Sequence, residues 1–118
     1  MSAHDGDPAA VLTVRQERHG GVVVVSLVGE LDMATADDAA DRLDLAAASA
    51  STLVVDLTGV RFFGSAGLNV LLRLRAAGVD VRLVADHQAV LRPLQLMGVA
   101  DQFVIHRSVD DAVESVRP

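Results

Sequence analysis

The chain contains no cysteine, no tryptophan and no tyrosine, and all ten of its basic residues are arginines. Without cysteine, disulfides and thiol chemistry are excluded. Without lysine, a phosphate-binding loop ending in Lys-Ser or Lys-Thr is impossible, and no Gly-x-Gly-x-x-Gly follows any predicted strand. The aromatic residues are Phe62, Phe63 and Phe103 alone. The core must therefore be built from Val, Leu and Ala, which favours tight helix-to-sheet packing over a roomy ligand cavity. Although 51% of residues are hydrophobic, no apolar run approaches the ~20 residues needed to cross a bilayer. Basic residues are outnumbered, and a formal net charge of −6 argues against nucleic acid, which calls for clustered Lys and Arg. The histidines, His4, His19, His87 and His106, match no spacing such as His-Glu-x-x-His, and they read as surface or structural residues. Neither a metal nor a cofactor is expected.

What is present is enough for one domain. A chain of 118 residues can close a single core. Residues 1–10 carry Asp5, Gly6, Asp7 and Pro8 and lack the basic start and apolar middle of a signal peptide. They read as a short flexible tail on a cytoplasmic protein, with the domain proper at residues 11–118.

The hydrophobic period switches repeatedly along that domain. Val11 to Glu17 alternates like a strand with one wet face. His19-Gly20-Gly21 signals a turn, and Val22 to Val28 is nearly continuous apolar sequence, so the two strands are expected to pair antiparallel. After Gly29-Glu30-Leu31-Asp32, residues Ala36, Ala40, Leu43 and Ala47 recur at helical spacing, while Asp37, Asp41 and Asp44 mark another stripe of the same helix. A strand at Leu53 to Leu57, a helix at Ser65 to Ala77 closed by Gly78, and a strand at Val79 to Val84 follow. Asp86 is placed to cap a helix from His87 to Met97 that holds Pro93 with a kink and is ended by Gly98. Phe103-Val104-Ile105 is a last short strand, and Ser108 caps a helix from Val109 to Val116. The order β-β-α-β-α-β-α-β-α implies an α/β fold with a mixed, mostly parallel sheet and right-handed crossovers.

The stretch from Leu53 to Leu72, LVVDLTGVRFFGSAGLNVLL, is the most informative. The apolar run Leu53-Val54-Val55 ends at Asp56, Thr58-Gly59 reads as a turn, and Val60, Phe62 and Phe63 form a second apolar knot. The next helix opens on Gly64-Ser65-Ala66-Gly67. Small residues there leave first-turn N–H groups and a hydroxyl open to a visitor. A nucleophile elbow fails, because Phe63 rather than Gly lies two before Ser65. A hydrolase built on Ser65 would thus have a serine and no base, and the chain is not expected to be an enzyme.

Five segments in order resemble the successive signatures of STAS-domain anti-sigma factor antagonists, a bacterial family. They are Gly29-Glu30-Leu31-Asp32, Val55-Asp56-Leu57-Thr58-Gly59-Val60, Phe63-Gly64-Ser65-Ala66-Gly67-Leu68, Val90 to Val99, and Phe103-Val104-Ile105 before an acidic helix. The resemblance spans residues 11–116. It implies partner switching in the cytoplasm: the antagonist captures an anti-sigma factor, usually an ATPase-fold serine kinase, and thereby releases a sigma factor. In that family the kinase phosphorylates a Ser or Thr at the start of the second helix, and a phosphatase reverses this. A different function remains open within the resemblance, a free-standing STAS sensor or scaffold that binds a nucleotide or another small ligand.

The chain departs from the family motif Asp-Ser-Ser/Thr-Gly-Leu where it matters. Gly64 stands at the Asp position, Ser65 at the first Ser, and Ala66 at the phosphoacceptor. Alanine cannot be phosphorylated, so either Ser65 is the acceptor or the switch is not phosphorylation. Ser65 also reads as a helix N-cap, a role compatible with either. Asp32 reads equally as a turn or cap carboxylate and, with Glu30, as part of a partner-facing edge. Asn69 and Arg73 lie one and two turns beyond Ser65 and Ala66. The expected partner-binding set is Glu30, Asp32, Gly64, Ser65, Ala66, Asn69 and Arg73. Phe62 and Phe63 are both expected in the core.

Overall fold

A computed structural model describes residues 12–116; the expected tail at 1–10 lies outside the described residues. The elements are β1 (Leu12–His19), β2 (Val22–Leu31), α1 (Ala36–Ala48), β3 (Thr52–Phe63), α2 (Ser65–Ala76), β4 (Val81–Val84), α3 (Gln88–Leu96), β5 (Val104–His106) and α4 (Val109–Ser115). Their order is the expected one. A one-turn 3-10 helix at Ala100–Gln102, which the sequence did not signal, leads into β5.

The strands form one sheet in the order β1-β2-β3-β4-β5. β1 runs antiparallel to β2 through the Gly20-Gly21 turn, and the remaining pairs are parallel. Each β-α-β crossover steps to the next strand in the same direction. Right-handedness therefore puts α1, α2 and α3 on one face of the sheet. There Val23, Val25 and Leu27 of β2 join Leu53, Val55 and Leu57 of β3 under Leu43, Leu71 and Leu94 of the helices. The alternate residues, Val22, Val24 and Val54, meet Ala112 and Val113 of α4 on the other face. Two covered faces explain why β2 reads as an unbroken apolar run. Fully burying each Val or Leu contributes roughly 1.5–3 kcal/mol, so this aliphatic centre is a large favourable term in the fold.

Three local expectations are corrected. β3 does not end at Leu57 with a turn at Thr58-Gly59; it runs to Phe63 beside a β2 that reaches Leu31. Two bulges in β3 absorb the surplus residues, because Ser26 to Val28 spans Asp56 to Gly59, and Gly29 to Glu30 spans Val60 to Phe62. The turn-like Asp-Leu-Thr-Gly sequence makes the first bulge: the Asp56 carboxylate accepts the Thr58 N–H at 3.0 Å and the Thr58 hydroxyl at 2.8 Å. Asp86 does not cap α3; His87 is the N-cap residue, without a side-chain capping bond. Nor is Ser65 an N-cap, since Gly64 holds that place. Ser108 does cap α4, accepting the Asp111 N–H at 3.1 Å. Gly78 and Gly98 follow α2 and α3 with φ of 88° and 71°, the left-handed geometry of helix ends that glycine adopts most readily.

Candidate functional site

β2 and β3 end side by side, with Leu31 in register with Phe63, and α1 and α2 start there. The Gly64 N–H donates to the Leu31 carbonyl at 3.0 Å, which fixes the entry of α2 against β2. One turn in, buried Gly67 lets the helix backbone rest on Leu31. A Cβ at Gly67 would stand 2.6 Å from Leu31 Cγ and 3.2 Å from Leu31 O. With Leu68, Val70, Leu71 and Leu74 turned to the core, the opposite stripe of α2 faces out. Ser65, Asn69 and Arg73 are exposed along it, and Ala66 beside them is half-buried.

Ser65 is the first helical residue rather than the cap, and among the described residues its hydroxyl has no hydrogen-bond partner. The first intrahelical bond of α2 is Leu68 N–H to Gly64 O, so the N–H groups before it are those a helix start leaves unused. No acidic residue occupies the first turn, and the dipole there favours an incoming anion. Ala66 turns toward α1, where it lines an open hollow with Met33, Asp37, Asn69 and Arg73.

Asp32 has a local occupation. Its Oδ1 accepts the N–H groups of Ala34 at 2.9 Å and Thr35 at 3.2 Å. Its own N–H donates to Thr35 Oγ1 at 3.1 Å, and that hydroxyl donates to the Glu30 carbonyl at 2.7 Å. Asp32 thus builds the turn into α1 as a turn carboxylate. Glu30 is half-buried and stands in register with Phe62.

The structure adds two apolar residues that sequence reasoning missed. Met33 is 87% exposed in the turn after Asp32, and Phe62 is 53% exposed at the end of β3. Phe62 was expected in the core. The second bulge turns it outward while Phe63 goes in, at 3% exposure. Its ring leans over Gly64, where an added Cβ would meet Phe62 Cε2 at 3.0 Å. Met33 carried a faint signal, a lone large apolar residue between turn formers; Phe62 carried one in the alternation from Val55 and Leu57, which puts residue 63 inward and 62 outward, but a turn at Thr58-Gly59 interrupts that reading. The three described histidines lie elsewhere. His19 is near Glu17, His87 bonds the Val60 carbonyl, and His106 is beside Ser115. No cluster of potential metal ligands occurs among the described residues, and none of their helices is long and apolar enough to cross a membrane.

A family model described as the STAS domain matches residues 13–112. The anti-sigma-F factor antagonist RsfB of Mycobacterium tuberculosis is 34% identical over 121 residues, covering 99% of this chain and 95% of that protein. RsfA of the same organism, also an anti-sigma-F factor antagonist, is 33% identical over 84% of this chain and 83% of its own length. Among solved structures, an anti-sigma factor antagonist from Mycobacterium paratuberculosis superposes with a TM-score of 0.85 at 35% identity, over 92% of this chain and 97% of that one. Unphosphorylated SpoIIAA, an anti-sigma factor antagonist, shares the fold at a TM-score of 0.72 and 21% identity, over 89% of this chain and 96% of its own.

Proposed function

The chain belongs to the STAS-domain family, and we propose that within it this protein is an anti-sigma factor antagonist. It captures an anti-sigma factor, an ATPase-fold serine kinase, and frees a sigma factor in a partner switch; a phosphatase would complete the cycle. The near full-length similarity to anti-sigma-F factor antagonists carries this reading. It makes the protein a binding module rather than an enzyme. The contact surface is the outward stripe of α2, Ser65, Ala66, Asn69 and Arg73, bordered by Gly64, Glu30 and Asp32. Exposed Met33 and Phe62 supply apolar area there, and few such anchors carry most of the energy of an interface.

Regulation departs from the usual form. Ala66 offers no hydroxyl, and one residue of shift rotates a side chain by about 100° around the helix. Ser65 therefore presents itself to the kinase from a different direction, and the protein is either constitutively competent or slowly modified at Ser65. A phosphate adds nearly two negative charges to a packed contact, which would break it, while the helix start tolerates the charge within the fold.

The test is calorimetric titration of the purified cognate anti-sigma factor kinase with this protein and with Asn69→Trp and Arg73→Trp variants. Affinity should fall about tenfold or more in each variant, as for a central interface residue, with the thermal midpoint nearly unmoved. Equal affinities across the set would refute the surface, and no binding by the unmodified chain would refute the function. Incubation with the kinase and ATP, followed by intact-mass analysis, reads the regulation. Rapid, complete phosphorylation of Ser65 with loss of binding would show that the usual switch survives.

A further inference from the structure

The hollow beside Ala66 is one end of a longer groove between α1 and α2. It continues past Val70 and Arg73 into a second hollow lined by Ala40, Asp44, Ala47 and Leu74, reaching Val79. Its floor is apolar and made of short side chains at the α1 wall, which lets another helix approach closely. Its α1 rim is acidic. Asp37, Asp41 and Asp44 are all exposed and follow one stripe of the helix. Asp38, on another side of α1, is 3.9 Å from Arg42, whereas the three rim carboxylates have no ion-pair partner among the described residues.

We infer that the α1–α2 groove is a second contact surface of the antagonist, taking a basic amphipathic helix of the anti-sigma factor. The inference rests on the function proposed above and extends the interface along the whole length of α2. Apolar residues of the incoming helix cover Ala40, Ala47 and Leu74 while its cations face the aspartate rim, the helix-in-groove mode of recognition. Arg73 borders both hollows and joins the groove to the Ser65 stripe. A second copy of this chain fits poorly, because each copy carries a net charge of −6 and would bring its own acidic rim against the first.

The experiment compares the variant Asp37→Lys/Asp41→Lys/Asp44→Lys with a control of equal charge change placed elsewhere, Asp38→Lys/Asp101→Lys/Asp110→Lys. Both are titrated against the purified cognate anti-sigma factor at low and high salt, and thermal midpoints verify folding. The rim variant should lose about tenfold or more in affinity at low salt and most of its salt dependence, as complementary charges at an interface require. The control should lose much less. Equal losses in rim variant and control, or no loss in either, with the unmodified chain still binding, overturn the groove and leave the proposed function standing. No binding by the unmodified chain overturns both. A dimer of the unmodified chain in sedimentation equilibrium that the rim variant abolishes assigns the groove to a second copy and overturns the inference.

Discussion

Replacing Gly67 with alanine tests whether the close approach of α2 to β2 is a requirement or an accident. Two effects oppose each other. Within a helix, alanine is favoured over glycine by roughly 0.5–1 kcal/mol, because glycine loses more backbone freedom on folding. Against this, the new Cβ would sit 2.6 Å from Leu31 Cγ and 2.9 Å from Leu31 Cδ2. Leu31 is fully buried at 0% exposure, so its side chain cannot swing into solvent. The Leu31 carbonyl at 3.2 Å blocks the other direction, and it already accepts the Gly64 N–H. Relief requires the helix to lift by a large fraction of an ångström along its first turn. Overpacking of this kind costs about 1–3 kcal/mol, so the clash wins.

The net expectation for Gly67→Ala is a loss of about 0–2.5 kcal/mol, centred near 1, the difference between those two ranges. For a domain of this size the central value is a fall of roughly 5 °C in thermal midpoint. Urea denaturation with unchanged slope would confirm that stability, not compactness, has moved. Gly59→Ala is the matched comparison. Its Cβ would meet Val28 Cγ2 at 2.9 Å, Val28 Cβ at 3.3 Å and the Leu27 carbonyl at 3.4 Å; turning the 40% exposed Val28 relieves the first, and the two that remain are looser than the contacts at Gly67, so the loss should be smaller. A Gly67→Ala protein more stable than the unmodified chain would refute the argument, since the helix propensity would then have outweighed the contact.

Other outcomes follow from the same geometry. Phe62→Ala should weaken anti-sigma factor binding about tenfold or more, as loss of an aromatic anchor does, while moving the thermal midpoint little because the ring is 53% exposed; parallel calorimetry and thermal melts read both. His87→Ala removes the Nε2 donor that reaches the carbonyl of fully buried Val60 at 2.7 Å and should cost about 1–3 kcal/mol in urea denaturation, the penalty for a buried group left without its partner. Ser108→Ala deletes the α4 cap and should cost about 0.5–2 kcal/mol, with amide exchange accelerated at Asp111.

The sequence carried the element order and the parallel sheet because their signals are redundant. In β2, every position from Val22 to Val25 is a β-branched residue, and both faces of the strand are covered, so no register choice could hide its type. Helix ends were legible where one residue type is required, as at Gly78, Gly98 and Ser108. Signals failed where a single side chain had two compatible uses. Asp86 and Ser65 are good cap residues, yet the chain turns one residue away from each of them. Asp-Leu-Thr-Gly is good turn chemistry, yet β2 is long enough to keep pairing, so Asp56 and Thr58 form a bulge instead of a reversal.

That bulge pair bears directly on the site. With strict alternation from Val55 and Leu57, the inward positions of β3 would fall at residues 59, 61 and 63. One extra residue near Leu57-Thr58 shifts the inward position to Val60, and another near Arg61 restores the original phase, so Phe63 is inward and Phe62 on the surface, as uninterrupted alternation also places them. Phe62 then leans over the helix start, where Gly64 leaves space for the ring and any Cβ would crowd it. Gly64 in place of the motif aspartate is therefore coupled to the outward aromatic. A side chain at 64 would push the exposed Phe62 ring aside by a few tenths of an ångström, so the residue at 64 tunes where the ring rests. The surface that sequence alone describes as a helix start of small residues is, in three dimensions, a small-residue floor flanked by Phe62 and Met33. The pairing of β3 with β2 sets Val60 inward, and the Gly64 N–H on the Leu31 carbonyl sets the helix start beside the Phe62 ring.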